Sequence, residues 1–328
     1  MRDVIGHEGV VALLERSLAT ERVAHAYLFT GPPGVGKTTV ARALAQALNC
    51  TGEPSPCGQC LACRKIDRGL HPDVRVVRGE GVGGAIKISQ VRVLQREAVL
   101  APHEGRHRVY ILRQFDRATL EAANCLLKTL EEPPAHAVLI LTATVADTLP
   151  STIVSRCQTF ALRPLPIAQV ESALVARWDV APDTARQLAR LSGGRLGWAV
   201  QAAQDPRILG ARRKALDALD RLLRGDRVER LEVAHSLSQD SQAAIQALET
   251  WIEWWRDRLW VSSGQTDRIS DPDWQPAWLA QADRWSLLQV VADLDALSMA
   301  VEQLNANVNA QLALERLALR LPYVARGT

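Results

Sequence analysis

The first half of the chain alternates short apolar runs with longer stretches in which apolar residues recur every three or four positions. Short apolar runs bounded by turn residues are typical of buried strands, and the longer spacing is typical of amphipathic helices. The predicted strands are Tyr27–Thr30, Val74–Val77, Arg108–Leu112, Val138–Thr142 and Thr159–Leu162, and the predicted helices between them are Thr38–Leu48, Ser89–Leu100 and Thr119–Leu130. Strands that alternate with helices predict an α/β fold with a parallel sheet.

Beyond Pro164 the strand pattern stops and the apolar spacing becomes helical throughout. We expect a compact helical part from about residue 166 to 204, ended by the turn signal Asp205-Pro206. A longer helical bundle with a polar break at residues 262–273 is expected to follow. All nine tryptophans lie after residue 177, which indicates that the two halves build their cores differently.

The tryptophan-rich segment at residues 251–260 has two interpretations. Exposed indole rings that stack on bases would indicate a binder of single-stranded DNA. Trp251, Trp254 and Trp255, however, follow the spacing of a buried helix face. Burial in the bundle is the favoured interpretation.

The composition is that of a globular protein, because 47% of the 328 residues are hydrophobic and 23% are charged. This length predicts two or three domains. The 39 basic and 36 acidic residues give a net charge of +3, so any contact with nucleic acid must be local. No apolar stretch approaches the roughly 18 residues of a membrane span, and the first residues lack a secretion signal. We therefore expect a soluble, cytoplasmic protein without membrane contact.

A glycine-rich loop directly follows the first predicted strand and directly precedes a predicted helix. The loop consists of Gly31, Pro32, Pro33, Gly34, Val35, Gly36, Lys37, Thr38 and Thr39. Glycines let successive N–H groups face a phosphate, the helix N-terminus adds positive potential, lysine reaches the outer phosphates and threonine can bind Mg²⁺. The loop therefore predicts binding of ATP or ADP through these nine residues.

Hydrolysis of ATP also requires carboxylates at the end of a neighbouring strand, where they hold Mg²⁺ and polarise water. Arg113 and Gln114 occupy those positions in this chain. Asp116 follows shortly after and is expected to cap the helix beginning near Thr119 rather than to bind magnesium. A working Mg²⁺ site is therefore in doubt, and we expect intrinsic ATP hydrolysis to be weak or absent.

Four of the six cysteines fall within fourteen residues, which does not resemble a disulfide framework. Cys50, Cys57, Cys60 and Cys63 match the tetrahedral four-thiolate shell of a structural zinc site. The alternatives are an iron–sulfur cluster, which more often uses other spacings, and reduced thiols without a metal. The two remaining cysteines, at positions 125 and 157, are expected to be small buried apolar residues.

Several longer sequence motifs contain these features, and together the motifs span nearly the whole chain. They are HAYLFTGPPGVGKTT, the four-cysteine insertion, HPDV, EAANCLLKTLEEPP, LPSTIVSRCQTF and LNANVNAQLALERLALRL. In these strings the sequence resembles the clamp-loader subunits of bacterial DNA polymerase III, which are AAA+ ATPases. The resemblance implies a P-loop nucleotide-binding domain at residues 1–165 with a zinc insertion at 50–63, a small helical lid at 166–208 and an all-α collar at 209–328.

The resemblance also implies a catalytic role in trans for Arg156, which is the arginine of the family's SRC motif. In the family, this arginine projects into the ATP site of a neighbouring subunit. It further implies a hetero-pentamer with tau/gamma and delta subunits that acts on a sliding clamp and on primer–template DNA. A guanidinium at the developing γ-phosphate charge is worth ~10³ to 10⁵ in rate in related systems. Without the motif, Arg156 would be interpreted as an ordinary surface arginine.

Two departures from the pattern distinguish branches of this family. Motor subunits of the tau/gamma type carry paired acids where Arg113 and Gln114 stand, and an arginine where Gly197 stands; Arg195 is two positions early. Both losses resemble the delta-prime branch, a rigid stator that does not drive the cycle. The alternative is a hydrolysing motor subunit, or another AAA+ ATPase, in which Asp116 or Glu131 supplies the Mg²⁺ ligand.

Overall fold

The structure is a computed structural model that describes residues 1, 4–81, 84–265, 269, 286–306 and 308–323. Contacts divide the chain into two compact units. One unit comprises Met1–Ala185 with Gly194–Trp198, and the other comprises Arg186–Gly193 with Ala199–Thr328. The finer boundaries at residues 165 and 208 remain a prediction.

The first unit is built around five parallel strands in the order β2-β3-β4-β1-β5. The strands are β1 (Ala26–Thr30), β2 (Val74–Val77), β3 (Arg108–Leu112), β4 (Ala137–Ala143) and β5 (Gln158–Ala161). The helices are α1 (Glu8–Ala19), α2 (Lys37–Asn49), α3 (Leu61–Asp67), α4 (Ile88–Ala98), α5 (Leu120–Glu131), α6 (Ser151–Val154) and α7 (Ile167–Trp178). The predicted strands and helices are confirmed to within one or two residues at each end, and so is the α/β fold with a parallel sheet.

Apolar side chains cover both faces of this sheet. On one face, Phe29 of β1 packs in a buried cluster with Val40 and Leu44 of α2. On the other face, Leu28 of the same strand shares a cluster with Leu126 of α5. Successive strand side chains point to opposite faces, so a strand covered on both sides is buried at every position, as β1 and β4 are. Because the strands are parallel, the loops that follow β1, β3 and β4 meet along one edge, the carboxyl edge of the sheet.

Downstream of the sheet the described residues form helices only, as the spacing predicts. They are α8 (Pro182–Leu191), α9 (Leu196–Gln204), α10 (Pro206–Arg224), α11 (Arg227–Ser238), α12 (Ser241–Ser262) and two further helices, Leu287–Asn305 and Ala310–Arg320. Asp205 caps α10, where its side chain accepts from the Arg207 N–H at 3.0 Å. Within the described part of the chain, no helix combines the length and apolarity needed to cross a lipid bilayer.

The core of the second unit contains the tryptophans of α12. Trp251, Trp254 and Trp255 are all buried, and Trp251 donates from Nε1 to the Ala215 carbonyl oxygen at 2.7 Å. Burial of these rings is thus confirmed, which removes the main argument for base stacking. The polar break expected at residues 262–273 lies mostly outside the described residues, as do the tryptophans at 274, 278 and 285.

Candidate functional site

The glycine-rich loop joins β1 to α2 at the carboxyl edge of the sheet. Gly31, Gly34 and Gly36 have φ values of +139°, +80° and +111°, which residues with a Cβ rarely adopt. A Cβ on Gly31 would also lie 2.3 Å from the carbonyl oxygen of Leu162. The loop therefore follows a path that glycine permits, and α2 begins directly after it at Lys37.

The Lys37 side chain folds over this loop. Its ammonium group donates to the carbonyl oxygens of Gly31 and Pro32, the latter at 3.0 Å. Burial lowers the pKa of Lys37 to about 8, and the negative charge of Asp116 opposes that shift. A cation beside a helix N-terminus in a glycine cradle fits the phosphates of a nucleotide. All nine predicted loop residues lie in this one turn and the start of α2.

A second segment of the same unit, Gly194–Trp198, touches the loop. The Gly197 N–H donates to the Gly34 carbonyl oxygen at 2.8 Å. Gly197 lies in the first turn of α9, where N–H groups lack an acceptor within the helix, so Gly34 provides one. A Cβ on Gly34 would lie 3.0 Å from the Trp198 nitrogen, and a Cβ on Gly197 would lie 2.8 Å from the Gly34 oxygen. This close approach of two backbones gives a physical reason for glycine at position 197.

Replacing Gly197 with alanine is expected to lower the free energy of unfolding by about 1–3 kcal/mol, because the new Cβ must displace the loop backbone. The control is Gly210→Ala, in the interior of α10, where a Cβ meets nothing within 4 Å. That change should raise the free energy of unfolding by about 0.8–1.0 kcal/mol. Chemical denaturation measures both, and equal effects of the two substitutions would contradict the contact.

The end of β3 carries no carboxylate at the first two positions, as the sequence indicates. The Arg113 N–H continues the sheet by donating to Val77 at 3.0 Å, and the Gln114 N–H donates to the Thr142 hydroxyl at 2.9 Å. Burial lowers the pKa of Arg113, and the positive charges of Arg78 and Arg42 lower it further. The two side chains that replace the acids therefore add no negative charge beside the loop.

The prediction that Asp116 caps the next helix is wrong. Thr119 is the N-cap of α5, and its hydroxyl accepts from the Ala122 N–H at 3.2 Å. Asp116 lies in a short 3₁₀ turn and accepts from the Thr144 N–H at 2.8 Å, while the Thr144 carbonyl accepts from the Gly31 N–H at 3.0 Å. Its other carboxylate oxygen is buried and has no hydrogen-bond partner among the described residues. The negative charge of Asp116 acts on Lys37, so of the two acids considered as alternative Mg²⁺ ligands, Asp116 is the one beside the loop.

Arg156 lies at the opposite edge of the sheet from the loop. It follows α6 and precedes β5, whose first residue, Gln158, is level with Tyr27 in β1. Tyr27 precedes Gly31 by four residues, about 13 Å at ~3.3 Å per strand residue. Arg156 therefore does not share a site with the glycine-rich loop of its own chain.

Glu131, the other residue considered as a Mg²⁺ ligand, lies with Arg156 and not with the loop. It is the last residue of α5, which runs back from the carboxyl edge toward the start of β4. Its Oε1 forms an ion pair with Arg156 Nη2 at 2.8 Å. Within the alternative of a hydrolysing subunit, Glu131 is therefore ruled out as the Mg²⁺ ligand, because it lies at the opposite edge of the sheet from Lys37.

The four clustered cysteines come together at the far end of α2. Cys50 directly follows this helix, and Cys60 and Cys63 begin α3. The four sulfur atoms lie within 4.8 Å of one another, and the sulfurs of Cys50 and Cys60 are 3.9 Å apart. Zn–S bonds of about 2.3 Å in a tetrahedron place sulfur atoms about 3.8 Å apart. The donor set and its spacing therefore fit a single metal ion.

Backbone N–H groups point at these sulfur atoms, as they do around metal-bound thiolates. The Cys57 N–H donates to the Cys50 sulfur at 3.3 Å, and the Cys60 N–H donates to the Cys57 sulfur at 3.3 Å. Although burial acts to raise the pKa of Cys60, hydrogen bonds from Cys63 and Thr51 lower it to about 5. Thiolates are the form that binds metal. A buried hydrogen bond connects the cluster to α2, in which Gln46 Nε2 donates to the Cys63 carbonyl oxygen at 3.1 Å.

Taken together, the sheet order, the glycine-rich loop after β1 and the helical second unit define a class, the P-loop α/β fold of AAA+ proteins. A family model described as "DNA polymerase III, delta subunit" matches residues 6–166. A DNA polymerase III subunit delta' from Bacillus subtilis is 31% identical over 321 residues, which is 95% of each chain. The chain belongs to the delta-prime family of DNA polymerase III subunits.

Other relatives match a smaller share. DNA polymerase III subunit tau of Salmonella typhimurium is 41% identical over 174 residues, which is 52% of this chain but 27% of the tau protein. The tau subunit of Escherichia coli gives the same figures. A solved structure of a gamma subunit-related protein from Thermotoga maritima covers 93% of this chain and 97% of its own, with 18% identity and a TM-score of 0.45.

Proposed function

We propose that this chain is the delta-prime subunit of the DNA polymerase III clamp loader, which helps to place the sliding clamp on primed DNA during replication. In this proposal it joins tau/gamma and delta subunits in a hetero-pentamer and reaches the clamp and primer–template DNA through that assembly. The observation that carries the proposal is the similarity to a delta' subunit over 95% of both chains.

Within the assembly the chain acts as a stator that does not hydrolyse ATP. Arg113 and Gln114 stand where a hydrolysing subunit needs two acids, so these positions offer no carboxylate to hold Mg²⁺ or to polarise water. This observation supports the stator role. Its contribution to catalysis is Arg156, supplied in trans to a neighbouring ATP site. The location of Arg156 at the sheet edge away from its own loop supports action on another subunit.

The glycine-rich loop is proposed to hold ATP or ADP. Lys37 would contact the outer phosphates, and the N–H groups at the start of α2 would face them. Thr38 is the residue of the loop that would meet a Mg²⁺ ion if one accompanied the nucleotide. The cysteine cluster is proposed to hold structural zinc. An iron–sulfur cluster would place bridging sulfides between the thiolates, whereas these sulfurs are as close as around one ion.

The second candidate is a hydrolysing motor subunit of the tau/gamma type. Two observations favour it: the 41% identity to tau over 174 residues, and the unpartnered Asp116 oxygen whose charge acts on Lys37. In this candidate the Asp116 carboxylate would hold Mg²⁺ and polarise water in place of the missing acidic pair. The rate of ATP hydrolysis by the purified chain separates the two candidates.

We expect the purified chain to bind nucleotide but to hydrolyse ATP negligibly. Lys37→Ala should weaken nucleotide binding about 10- to 100-fold, because a hydrogen bond to a charged group is worth about 1.5–3 kcal/mol. Lys214→Ala, at an exposed position of α10, is the matched control and should leave the affinity unchanged. Titration with a fluorescent nucleotide measures the affinity, and a steady-state assay measures turnover. Turnover by the isolated chain at the rate of a motor subunit would favour the second candidate.

A further inference from the structure

We propose that Glu131 is a positioning residue for Arg156, which holds the guanidinium in the orientation that a neighbouring ATP site requires. The inference rests on the proposed action of Arg156 in trans and adds a second residue to it. Glu131 touches neither nucleotide nor the reacting atoms in this proposal; it acts through Arg156.

Two acceptors from different elements hold the guanidinium. Arg156 Nη1 donates to the Thr152 carbonyl oxygen of α6 at 2.9 Å, and Nη2 pairs with Glu131 Oε1 of α5 at 2.8 Å. One acceptor alone leaves a long side chain free to rotate about that bond. Two acceptors, one on each terminal nitrogen, fix both the position and the plane of the group. Five N–H donors are present on a guanidinium, so three remain for a partner.

The carboxylate stands on a rigid support. Glu131 ends α5, and the preceding turn is anchored by Leu126 and Leu130, both buried in the core between α5 and the sheet. The Glu132 N–H continues the helical bonding to the Lys128 carbonyl at 3.0 Å. A group on such a helix end varies little in position, which is what preorganised catalytic contacts need.

The pair has little value for the stability of the isolated chain. The side chains of Arg156 and Glu131 are 35% and 51% exposed, and ion pairs at such positions contribute little to the free energy of unfolding. Its value is geometric: a misplacement of about 1 Å in a reacting group can cost about 100-fold in rate. The structure therefore predicts a variant that alters catalysis in the assembly far more than it alters folding.

The test uses a reconstituted hetero-pentamer of this chain with tau/gamma and delta subunits. Glu131→Ala should slow hydrolysis at the neighbouring site about 10-fold, and Glu131→Gln, which keeps an acceptor oxygen, about 3-fold. The control is Glu132→Ala, because the next residue is also an exposed glutamate but is not the acceptor of the Arg156 guanidinium. The control should hydrolyse at the wild-type rate, and all three variants should show nearly the same midpoint of chemical denaturation as wild type.

The double substitution Glu131→Ala with Arg156→Ala distinguishes positioning from an independent role. If Glu131 acts through Arg156, the double variant should be no slower than Arg156→Ala alone. Three outcomes would overturn the inference. They are a further loss of rate in the double variant, an unchanged rate in Glu131→Ala, and a faster rate in Glu131→Ala, which would mean that the ion pair holds Arg156 away from the neighbouring site. If Arg156→Ala itself leaves every rate unchanged, the proposed action in trans fails and this inference falls with it.

Discussion

Replacing Arg156 with alanine is expected to slow ATP hydrolysis at one neighbouring site of the reconstituted assembly by about 10³- to 10⁵-fold. The physical reason is that a fixed guanidinium stabilises charge that develops on the γ-phosphate in the transition state. The folding, metal content and nucleotide affinity of this chain should be unchanged, because its own loop lies across the sheet from Arg156. Pre-steady-state counting of hydrolysed ATP measures how many sites fire.

Arg156→Lys sharpens this test. A lysine keeps the positive charge but loses the planar, two-pronged contact, so it should restore little of the rate. Arg163→Ala, at an exposed arginine after β5, is the control for simple loss of positive charge and should leave every site active. Normal firing of all sites in the Arg156→Ala assembly would make Arg156 an ordinary surface arginine.

Replacing Cys60 with serine is expected to remove the metal and to unfold the segment from Cys50 to Cys63. Thiolate binding of zinc is worth about 10–16 kcal/mol in small peptides and supplies most of the folding energy of such segments. The sheet should persist, since its two apolar clusters do not depend on the metal. Metal analysis of protein purified without chelator should find about one zinc in the wild type and almost none in the variant.

Cys125→Ser is the matched control for that experiment. Cys125 lies on α5, outside the cluster, and its sulfur donates to Gln95 Oε1 at 3.3 Å, a contact that a serine hydroxyl retains. This variant should keep its zinc. Limited proteolysis should cut the Cys60→Ser chain near residues 50–63 and spare the control. Full zinc content in Cys60→Ser would refute the four-cysteine assignment. Iron in the wild-type protein would show that the bound metal is not zinc.

The features that the sequence predicts correctly are those written in contiguous residues. Strands and helices are visible because apolar spacing differs between the two. The glycine-rich loop and the cysteine cluster are likewise local, since all their side chains come from one short stretch of chain. These residues are already neighbours along the chain, so tertiary packing changes the distances between them only slightly.

Contacts between distant residues are what the sequence does not reveal. Arg156 and Glu131 are far apart in the chain and meet because α5 and α6 both end near the same sheet edge. Gly34 and Gly197 meet through backbone atoms, which leave no mark in side-chain patterns apart from glycine itself. The sequence does not show which residue caps α5, because Asp and Thr both cap helices and Thr119 holds the capping position. The turn that carries Asp116 back over the strand ends is a property of the folded sheet.

The two unlike edges of the sheet also set the symmetry of the proposed assembly. Joining the Arg156 edge of one subunit to the loop edge of the next is a heterologous, head-to-tail contact, so the subunits form a directed row rather than a two-fold symmetric pair. A row that does not close has two different ends. At one end a subunit gives its arginine and receives none, so its own nucleotide loop serves no partner. A chain that keeps Arg156 but has Arg113 and Gln114 in place of catalytic acids fits that terminal place.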